Sequence, residues 1–262
     1  MKYDVAKMKY EYKYCIPNEQ LPEIRKRISP FLEHDSNMKF GGTEGYTVRS
    51  IYFDTPRYDF YHEKIEGLKQ RKKLRIRGYN EYNQNNIVYL EIKKKNEKRI
   101  YKNRAAVPYC DLEKLLMTGD IEKYILSDDG SKIPVENAQR FLFNIHKLTL
   151  LPAVLVIYER EAFQGKFDHS LRITFDKNLR SAIYPCLGNL YKEENINYTI
   201  PNHSVLEVKF YHVFPSFLSK IIESMELRLQ AFSKYTKCID EHIVVRTNTQ
   251  RLKYDYLQSI HF

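Results

Sequence analysis

Charged and apolar residues alternate along several short segments of the chain. In residues 73–77, Lys73, Arg75 and Arg77 alternate with Leu74 and Ile76. Successive side chains of a β-strand point to opposite faces, so a strand here places the cations on one face and the aliphatic side chains on the other. Three further segments, 11–13, 91–93 and 207–209, each place a glutamate and a lysine on one face. The pattern predicts a sheet with one charged and one apolar face.

The same alternation, with aromatic and β-branched residues, predicts about eight strands. They cover residues 8–16, 46–54, 71–79, 87–95, 98–107, 153–163, 170–176 and 204–211. Helical patterns lie over residues 18–32, 58–66, 111–127, 135–149, 215–229 and 234–246. An apolar sheet face must be buried, and these amphipathic segments are available to cover it.

The charged face is then either exposed on an open sheet or turned inward around a lumen. Closing the sheet removes its unpaired edges, which favours a lumen. We therefore expect an α+β fold, built as a closed eight-stranded antiparallel β-barrel that forms a tunnel, with helices packed on the outside. No linker divides the sequence, so we expect one domain over residues 1–262, with a C-terminal helix near 234–246 that closes or flanks the tunnel.

Composition limits the classes of binding partner and the cellular compartment that are expected for the protein. The 262 residues carry a formal net charge of +10, which favours nucleic acid, anionic lipid or polyphosphate as a partner. The four cysteines lack metal-ligand spacing and fit a reducing compartment. The longest apolar run, residues 148–158, is too short to span a bilayer, and the first residues lack the apolar core of a signal peptide. We expect a cytoplasmic protein with no direct membrane insertion.

Many cations in one narrow lumen would repel each other. Two like charges about 6 Å apart repel by roughly 3 kcal/mol at an effective dielectric near 20. The few carboxylates on the same face offset only part of this repulsion, so a ligand with several negative charges is expected. Arg supplies planar forks and Lys compact charges, a mixture that suits a chain of phosphates, and a carboxylate could also hold a divalent metal. The sequence predicts a phosphoryl-transfer site.

Short motifs in a fixed order resemble the VTC domain, the catalytic domain of the vacuolar transporter chaperone complex, which belongs to the triphosphate tunnel metalloenzymes. The resemblance covers residues from about 8 to about 245. The motifs are Glu11-Tyr12-Lys13, Ser50-Ile51-Tyr52-Phe53-Asp54-Thr55, Arg75-Ile76-Arg77, Glu91-Ile92-Lys93, Lys102-Asn103-Arg104, Tyr158-Glu159-Arg160, Leu206-Glu207-Val208-Lys209 and Ser233-Lys234-Tyr235.

The resemblance implies an eight-stranded tunnel and a polyphosphate polymerase that transfers the γ-phosphoryl group of a nucleoside triphosphate, ATP, to a growing polyphosphate chain. It implies a divalent cofactor, manganese or magnesium, with Glu207 as its ligand, and partners that include a possible membrane protein but no nucleic acid. The phosphate-gripping catalytic residues that it implies are Lys13, Arg75, Arg77, Lys93, Lys102, Arg160 and Lys234. The charged face adds as candidate substrate-binding residues Glu11, Glu91, Arg104, Tyr158, Arg172 and Lys209.

Two positions depart from the family pattern. The wider superfamily often begins with Glu-x-Glu-x-Lys, but Lys9 occupies the first of these positions, which favours the VTC branch over the triphosphatase branch. A second basic residue expected three positions before Lys234 is replaced by Ala231, with Lys237 nearby. Binding of the reaction product is therefore expected to differ from that in the family.

Three alternatives remain open. A tripolyphosphatase or nucleoside triphosphatase on the same fold differs only in using water as the acceptor. A non-catalytic polyphosphate or nucleotide sensor would keep the fold without turnover, and Ala231 is compatible with it. A basic, tyrosine-rich sheet also resembles single-strand nucleic-acid platforms. The alternation places most aromatics opposite the cations, whereas stacking platforms carry both on one face, so this last alternative is disfavoured.

Overall fold

The computed structural model describes residues 9–35, 45–97, 99–127 and 131–246. Within these residues ten strands form one antiparallel sheet. All eight predicted strands are present, and two short strands are added at Leu32–His34 and Asn197–Tyr198. Residues 8 and 98 of the predicted strands lie outside the described residues. The strands are β1 (Lys9–Pro17), β2 (Leu32–His34), β3 (Tyr46–Asp54), β4 (Gln70–Tyr79), β5 (Ile87–Asn96), β6 (Arg99–Pro108), β7 (Leu151–Gly165), β8 (Arg172–Ile183), β9 (Asn197–Tyr198) and β10 (His203–Tyr211).

The sheet is open in its backbone pairing. Its strand order is β1-β10-β8-β7-β3-β4-β5-β6, with β2 added to β7 and β9 to β8. No ladder joins β1 to β6 among the described residues, so the expected closed barrel is not what these pairings form. Closure depends on backbone hydrogen bonds between the two edge strands, and alternation within a strand does not report them. The combination of helices with one large antiparallel sheet is confirmed.

The sheet nevertheless curves strongly toward its charged face. Glu11 in β1 and Lys93 in β5 lie six places apart along the strand order, yet their side chains approach to 3.5 Å. Neighbouring strands are spaced about 4.8 Å apart, so a flat sheet would separate the two strands by about 29 Å. The charged face is therefore concave, and it is called the concave face below.

Seven helices lie in the described part of the chain. None of them is both long and apolar enough to cross a membrane. They are α1 (Leu21–Ile28), α2 (Asp59–Ile65), α3 (Leu112–Thr118), α4 (Ile121–Tyr124), α5 (Ile133–Lys147), α6 (Ser216–Ser224) and α7 (Lys234–Arg246).

Two hydrophobic cores cover the convex face, as the apolar alternation predicts. Under α5, Phe141 packs with side chains of β3 to β7, including Leu74 and Ile92. Under α1 and α6, Ile24 and Leu218 pack with side chains of β1, β8 and β10. Truncating a fully buried phenylalanine such as Phe141 to alanine costs about 3–5 kcal/mol, so these cores contribute strongly to the stability of the domain.

The last helix, α7, lies on the other side of the sheet. Its Tyr235, Cys238 and Ile239 pack against Val154 and Val156, which share the concave face with the charged residues. This apolar contact covers one part of the concave face. The start of α7 consequently lies beside the charged side chains.

Candidate anion-binding site

The strand registers bring most of the predicted charged residues side by side on the concave face. Directly opposite positions include Arg75 with Glu91 on β4 and β5, and Lys13 with Glu207 on β1 and β10. Because each strand contributes every second residue, the charges form a continuous surface. The cations on it include Lys13, Lys73, Arg75, Arg77, Lys93, Lys102, Arg104, Arg160, Arg172 and Lys209, joined by Lys234 from α7, and the carboxylates among them include Glu11, Glu91, Asp176 and Glu207.

Glu91 on β5 is buried among cations from the two neighbouring strands, β4 and β6. Its Oε2 accepts a hydrogen bond from Nε of Arg75 at 2.8 Å, while its Oε1 lies 2.8 Å from Nζ of Lys102 and 3.3 Å from Nε of Arg104. Burial favours the neutral acid, but Arg75, Arg77 and Lys102 outweigh it and hold the pKa of Glu91 far below its usual value. Glu91 is therefore ionised and holds Arg75 of β4 in place together with Lys102 and Arg104 of β6.

Glu207 and Glu11 form a second group with three lysines. The buried carboxylate of Glu207 contacts Lys209 and lies 3.5 Å from Nζ of Lys13. Glu11 lies 2.9 Å from Lys13 and 3.5 Å from Lys93. Burial and the charge of Glu207 raise the pKa of Glu11, but the three lysines outweigh them and lower it to about 2. Burial also opposes ionisation of Glu207, but Lys209 and Lys13 lower its pKa well below the ordinary value.

Asp176 in β8 anchors the third group. Its two oxygens accept hydrogen bonds from Nε and Nη2 of Arg160 at 2.6 and 2.8 Å. Nζ of Lys234 lies 2.5 Å from the same carboxylate. Burial would raise the pKa of Asp176, but Arg160 and Lys234 together lower it. One fully buried carboxylate thus fixes both cations.

Arg77 differs from these paired arginines. Its guanidinium donates hydrogen bonds to the hydroxyls of Ser50 at 3.1 Å and Tyr158 at 3.3 Å. It forms no ion pair with a carboxylate among the described residues, and it is 7% exposed. A buried cation held only by neutral partners retains most of its capacity to bind an anion.

Lys73 is a second cation of this kind. Its Nζ donates a hydrogen bond to Oγ of Ser233 at 2.7 Å and makes no ion pair within the described ranges. Burial, followed by repulsion from Lys13 and Lys93, holds the pKa of Lys73 well below its ordinary value. An anion bound beside it would favour its charged form.

Tyrosines lie among these cations, including Tyr158, which alternation had placed on the charged face. The guanidinium of Arg104 lies 3.4 Å from the ring centroid of Tyr89, and that of Arg160 lies 5.2 Å from the ring of Tyr158. Further tyrosines on this face are Tyr46, Tyr52 and Tyr79. A ring accepts a cation on its face, so alternating tyrosine with arginine is compatible with one surface.

The structure brings the predicted site residues together with one partial exception. Arg172 lies on the concave face, but its guanidinium pairs with Asp35 at 3.1 Å and with none of the three carboxylate groups. Three side chains that were not predicted as site residues also take part: Lys73, Asp176 and Ser233. Alternation places Lys73 on the face of Arg75 and Asp176 on the face of Arg172, so both positions could have been found from the sequence. The chemical roles of all these residues stay predictions.

The carboxylates fit a divalent metal only as single ligands. Among the described residues, no group of three or more His, Cys, Asp and Glu side chains could hold a metal ion together. Magnesium and manganese often bind through one or two carboxylates, with substrate phosphates and water as the remaining ligands. Glu207 fits this role because it is ionised and belongs to the charged surface, although Lys13 and Lys209 also compete for its oxygens.

The fold and this surface define a class of protein: a mixed α/β domain whose curved antiparallel sheet carries a surplus of cations on its concave face. The chain belongs to the VTC domain family, whose sequence profile matches residues 8–242.

Three similar proteins carry the name vacuolar transporter chaperone complex subunit 4. The protein of Trypanosoma brucei brucei is 27% identical over 200 residues, which cover 64% of this chain and 25% of the relative. The protein of Trypanosoma cruzi is 28% identical over the same shares of both chains. The protein of Schizosaccharomyces pombe is 26% identical over 262 residues, covering 87% of this chain and 36% of the relative. The chain thus spans between 25% and 36% of these relatives.

Proposed function

We propose that this domain is a metal-dependent phosphotransferase that lengthens polyphosphate by taking the γ-phosphoryl group of a nucleoside triphosphate, ATP. The observation that carries the proposal is the excess of cations over carboxylates on the concave face, with Arg77 and Lys73 held by neutral hydroxyls alone. A ligand with several linked negative charges would form ion pairs with both of these side chains. Membership of the VTC domain family supports the same conclusion.

The cations would share the work of binding. Arg75 and Arg77 offer planar forks to phosphate oxygens, with Arg75 held in place by Glu91. Compact charges along the surface come from Lys13, Lys93 and Lys102. Arg160 and Lys234 are fixed by Asp176, so they present positive charge that does not reorganise during the reaction.

Transfer needs no nucleophile from the protein. A terminal oxygen of the acceptor polyphosphate forms a bond to the γ-phosphorus as the bond from that phosphorus to the β–γ bridging oxygen breaks, and a nucleoside diphosphate leaves. The arginines and lysines align the two phosphate chains and stabilise the charge of the transferring group. Magnesium or manganese, held through Glu207, would supply further charge neutralisation on the phosphate oxygens.

Hydrolysis is the second candidate, since the same surface would transfer the phosphoryl group to water. A sensor without turnover would bind the same ligands, and the replacement of a basic residue by Ala231 favours keeping this alternative. Nucleic-acid binding is less well supported. Tyr52 and Tyr158 are 7% and 3% exposed, so these rings offer little surface for base stacking.

Incubation of the protein with ATP and manganese, followed by gel electrophoresis, tests the proposal. Long polyphosphate with release of ADP is the expected product, and the Arg77→Ala variant is the negative control. Release of orthophosphate alone would reject the polymerase in favour of the hydrolase. Binding of tripolyphosphate without turnover would indicate a sensor, whereas competition by oligonucleotide would favour the nucleic-acid module.

Partners and location follow from the relatives only as proposals. The similar proteins are named as subunits of a complex, so we expect this domain to work with further subunits, one of them a membrane protein. The cysteine usage continues to favour a reducing, cytoplasmic setting for the domain.

A further inference from the structure

A second basic concavity lies on the convex side of the sheet, between α5 and strands β4 and β5. Its volume is about 470 Å³. Four of its lining side chains are cations, namely Lys72, Lys94, Arg140 and Lys147, and none is a carboxylate. This concavity is called the outer groove below. It faces away from the concave site, because the lysines of β4 and β5 that line it alternate with those that face the concave site.

Two of these cations are directly opposed in the sheet. Lys72 on β4 and Lys94 on β5 occupy the same rung of the ladder, and the next rung on this face pairs Leu74 with Ile92. Like charges directly opposite each other destabilise a strand pair. The Leu74–Ile92 pair packs in the convex core, whereas the two opposed lysine charges do not stabilise the pairing of β4 with β5. An anion bound between the two lysines would remove this repulsion.

Two of the four groove cations have no carboxylate partner among the described residues, and the other two have one nearby. Lys94 and Lys147 form no ion pair among the described residues, and Lys147 instead lies 5.3 Å from the exposed ring of Phe143. Arg140 is paired with Glu136 at 3.2 Å. Lys72 has Glu63 nearby, which accepts its backbone N–H at 3.4 Å.

The groove is built on a buried amide that orients one of the lysines. Oδ1 of Asn144 accepts a hydrogen bond from Nζ of Lys72 at 3.3 Å, while its Nδ2 donates to the carbonyl of Arg140 at 2.7 Å. Asn144 is 8% exposed. The helix backbone therefore fixes the amide, and the amide holds the Lys72 ammonium at the groove.

We propose that the outer groove binds a short chain of linked phosphates, either free or as the phosphate part of a nucleotide. Its volume is within the range of small-molecule sites. Four cations within one groove suit a compact ligand with several negative charges. The exposed ring of Phe143 at the same groove offers a surface for a base. The proposal does not depend on the function of the concave site.

Equilibrium binding of radiolabelled tripolyphosphate to the full chain tests it. We expect two bound equivalents per chain in the wild type. The Lys94→Gln/Lys147→Gln variant should weaken one of them by about tenfold or more and leave the other unchanged. The Lys26→Gln/Lys220→Gln variant is the matched control, because it removes the same charge from exposed sites on α1 and α6. It should retain both equivalents.

The Arg77→Ala variant separates the two sites, since it should lose the concave equivalent and keep the outer one. A single equivalent in the wild type that Arg77→Ala abolishes would overturn the proposal. Equal weakening by the two double lysine variants would also overturn it, because general charge would then explain the binding. A wild type that binds one equivalent of tripolyphosphate, weakened by Lys94→Gln/Lys147→Gln and unchanged in Arg77→Ala, would contradict the proposed function of the concave face. It would still support the outer groove as a binding site.

Binding of ADP and the Phe143→Ser variant distinguish a nucleotide from a free oligophosphate as the ligand of the outer groove. Outer-groove binding of both tripolyphosphate and ADP, with only ADP weakened by about tenfold in Phe143→Ser, supports the proposal with a nucleotide as ligand. Binding of tripolyphosphate but not ADP supports it with a free oligophosphate. Binding of neither at the outer groove contradicts it.

Discussion

The ammonium of Lys234 lies 2.5 Å from the carboxylate of Asp176, and this contact connects the first residue of α7 to the middle of β8. The same carboxylate receives two hydrogen bonds from Arg160. The position of α7 on the concave face is therefore coupled to the charge arrangement of the candidate site. A change at Asp176 affects both.

Replacing Asp176 with asparagine should destabilise the domain strongly. The change leaves Arg160 and Lys234 buried without a compensating charge, and breaking a buried ion pair in this way costs about 3–5 kcal/mol. Urea unfolding of Asp176→Asn against the wild type measures the loss. Glu136→Gln, which removes an exposed pair with Arg140, should give no measurable change. Equal effects of the two variants would show that the Asp176 group is not a structural anchor.

Arg75 and Arg77 should respond differently to substitution. Arg77→Met removes a cation with no carboxylate partner, so the free energy of unfolding should stay unchanged or rise, while affinity for tripolyphosphate falls about tenfold or more. Arg75→Met leaves Glu91 less well paired, so it should lower both stability and affinity. Chemical denaturation and calorimetric titration measure the two effects. Similar losses of stability in both variants would contradict the assignment.

Stability should fall in acid because the carboxylates of the site have low pKa values in the folded state. Lys13, Lys93 and Lys209 overcome the effect of burial and lower the pKa of Glu11 to about 2, against an ordinary value of 4.5. The contribution of Glu11 is present above pH 4.5 and is lost as the pH falls toward 2.

Denaturation of Glu11→Gln between pH 7 and pH 2 checks this pH dependence. The variant should be less stable than the wild type at pH 7, and the difference between them should shrink in acid. A difference that stays constant over this range would rule out the low pKa of Glu11 in the folded state.

Tyr235 should act as a positioning residue for Lys234. Its hydroxyl donates a hydrogen bond to Asp54, and Asp54 also accepts the backbone N–H groups of Phe60 and Tyr61 at the start of α2. Tyr235→Phe should therefore reduce the rate of phosphoryl transfer by about tenfold without a comparable change in the KM for ATP.

The matched control for Tyr235 is Tyr61→Phe, which removes a hydrogen bond from Tyr61 to Asp240 further along α7. It should leave the transfer rate close to that of the wild type. A fall in rate of the same size in both variants would mean that α7 acts as a whole, with no special role for the Asp54 contact.

Local pattern was sufficient for the long strands and insufficient for several boundaries. Strands of nine or more residues show enough alternation to be recognised, whereas β2 and β9 have three and two residues. The helix predicted over residues 18–32 is shorter, Leu21–Ile28, because Pro30 has no N–H to continue the helical hydrogen bonds and the chain passes through a short turn at Ser29–Phe31. It then enters β2.

The aromatic residues show a second limit of the pattern. Alternation placed Tyr158 on the charged face, and its ring lies there beside the guanidinium of Arg160. It did not single out Tyr89, whose ring lies beside the guanidinium of Arg104 on the same face. A simple division into apolar and charged residues does not assign tyrosine, since tyrosine packs with both kinds of neighbour.

The sequence alone determined which residues share a face, because side-chain direction in a strand depends only on the backbone of adjacent residues. Only the tertiary structure decided two further points. These are whether the edge strands β1 and β6 pair with each other, and which charged side chains form ion pairs. Lys93 meets Glu11 across 82 residues of chain, and Arg77 meets no carboxylate among the described residues. Charge pairing depends on distances set by strand order, sheet curvature and the docking of α7, and these distances result from packing of the whole domain.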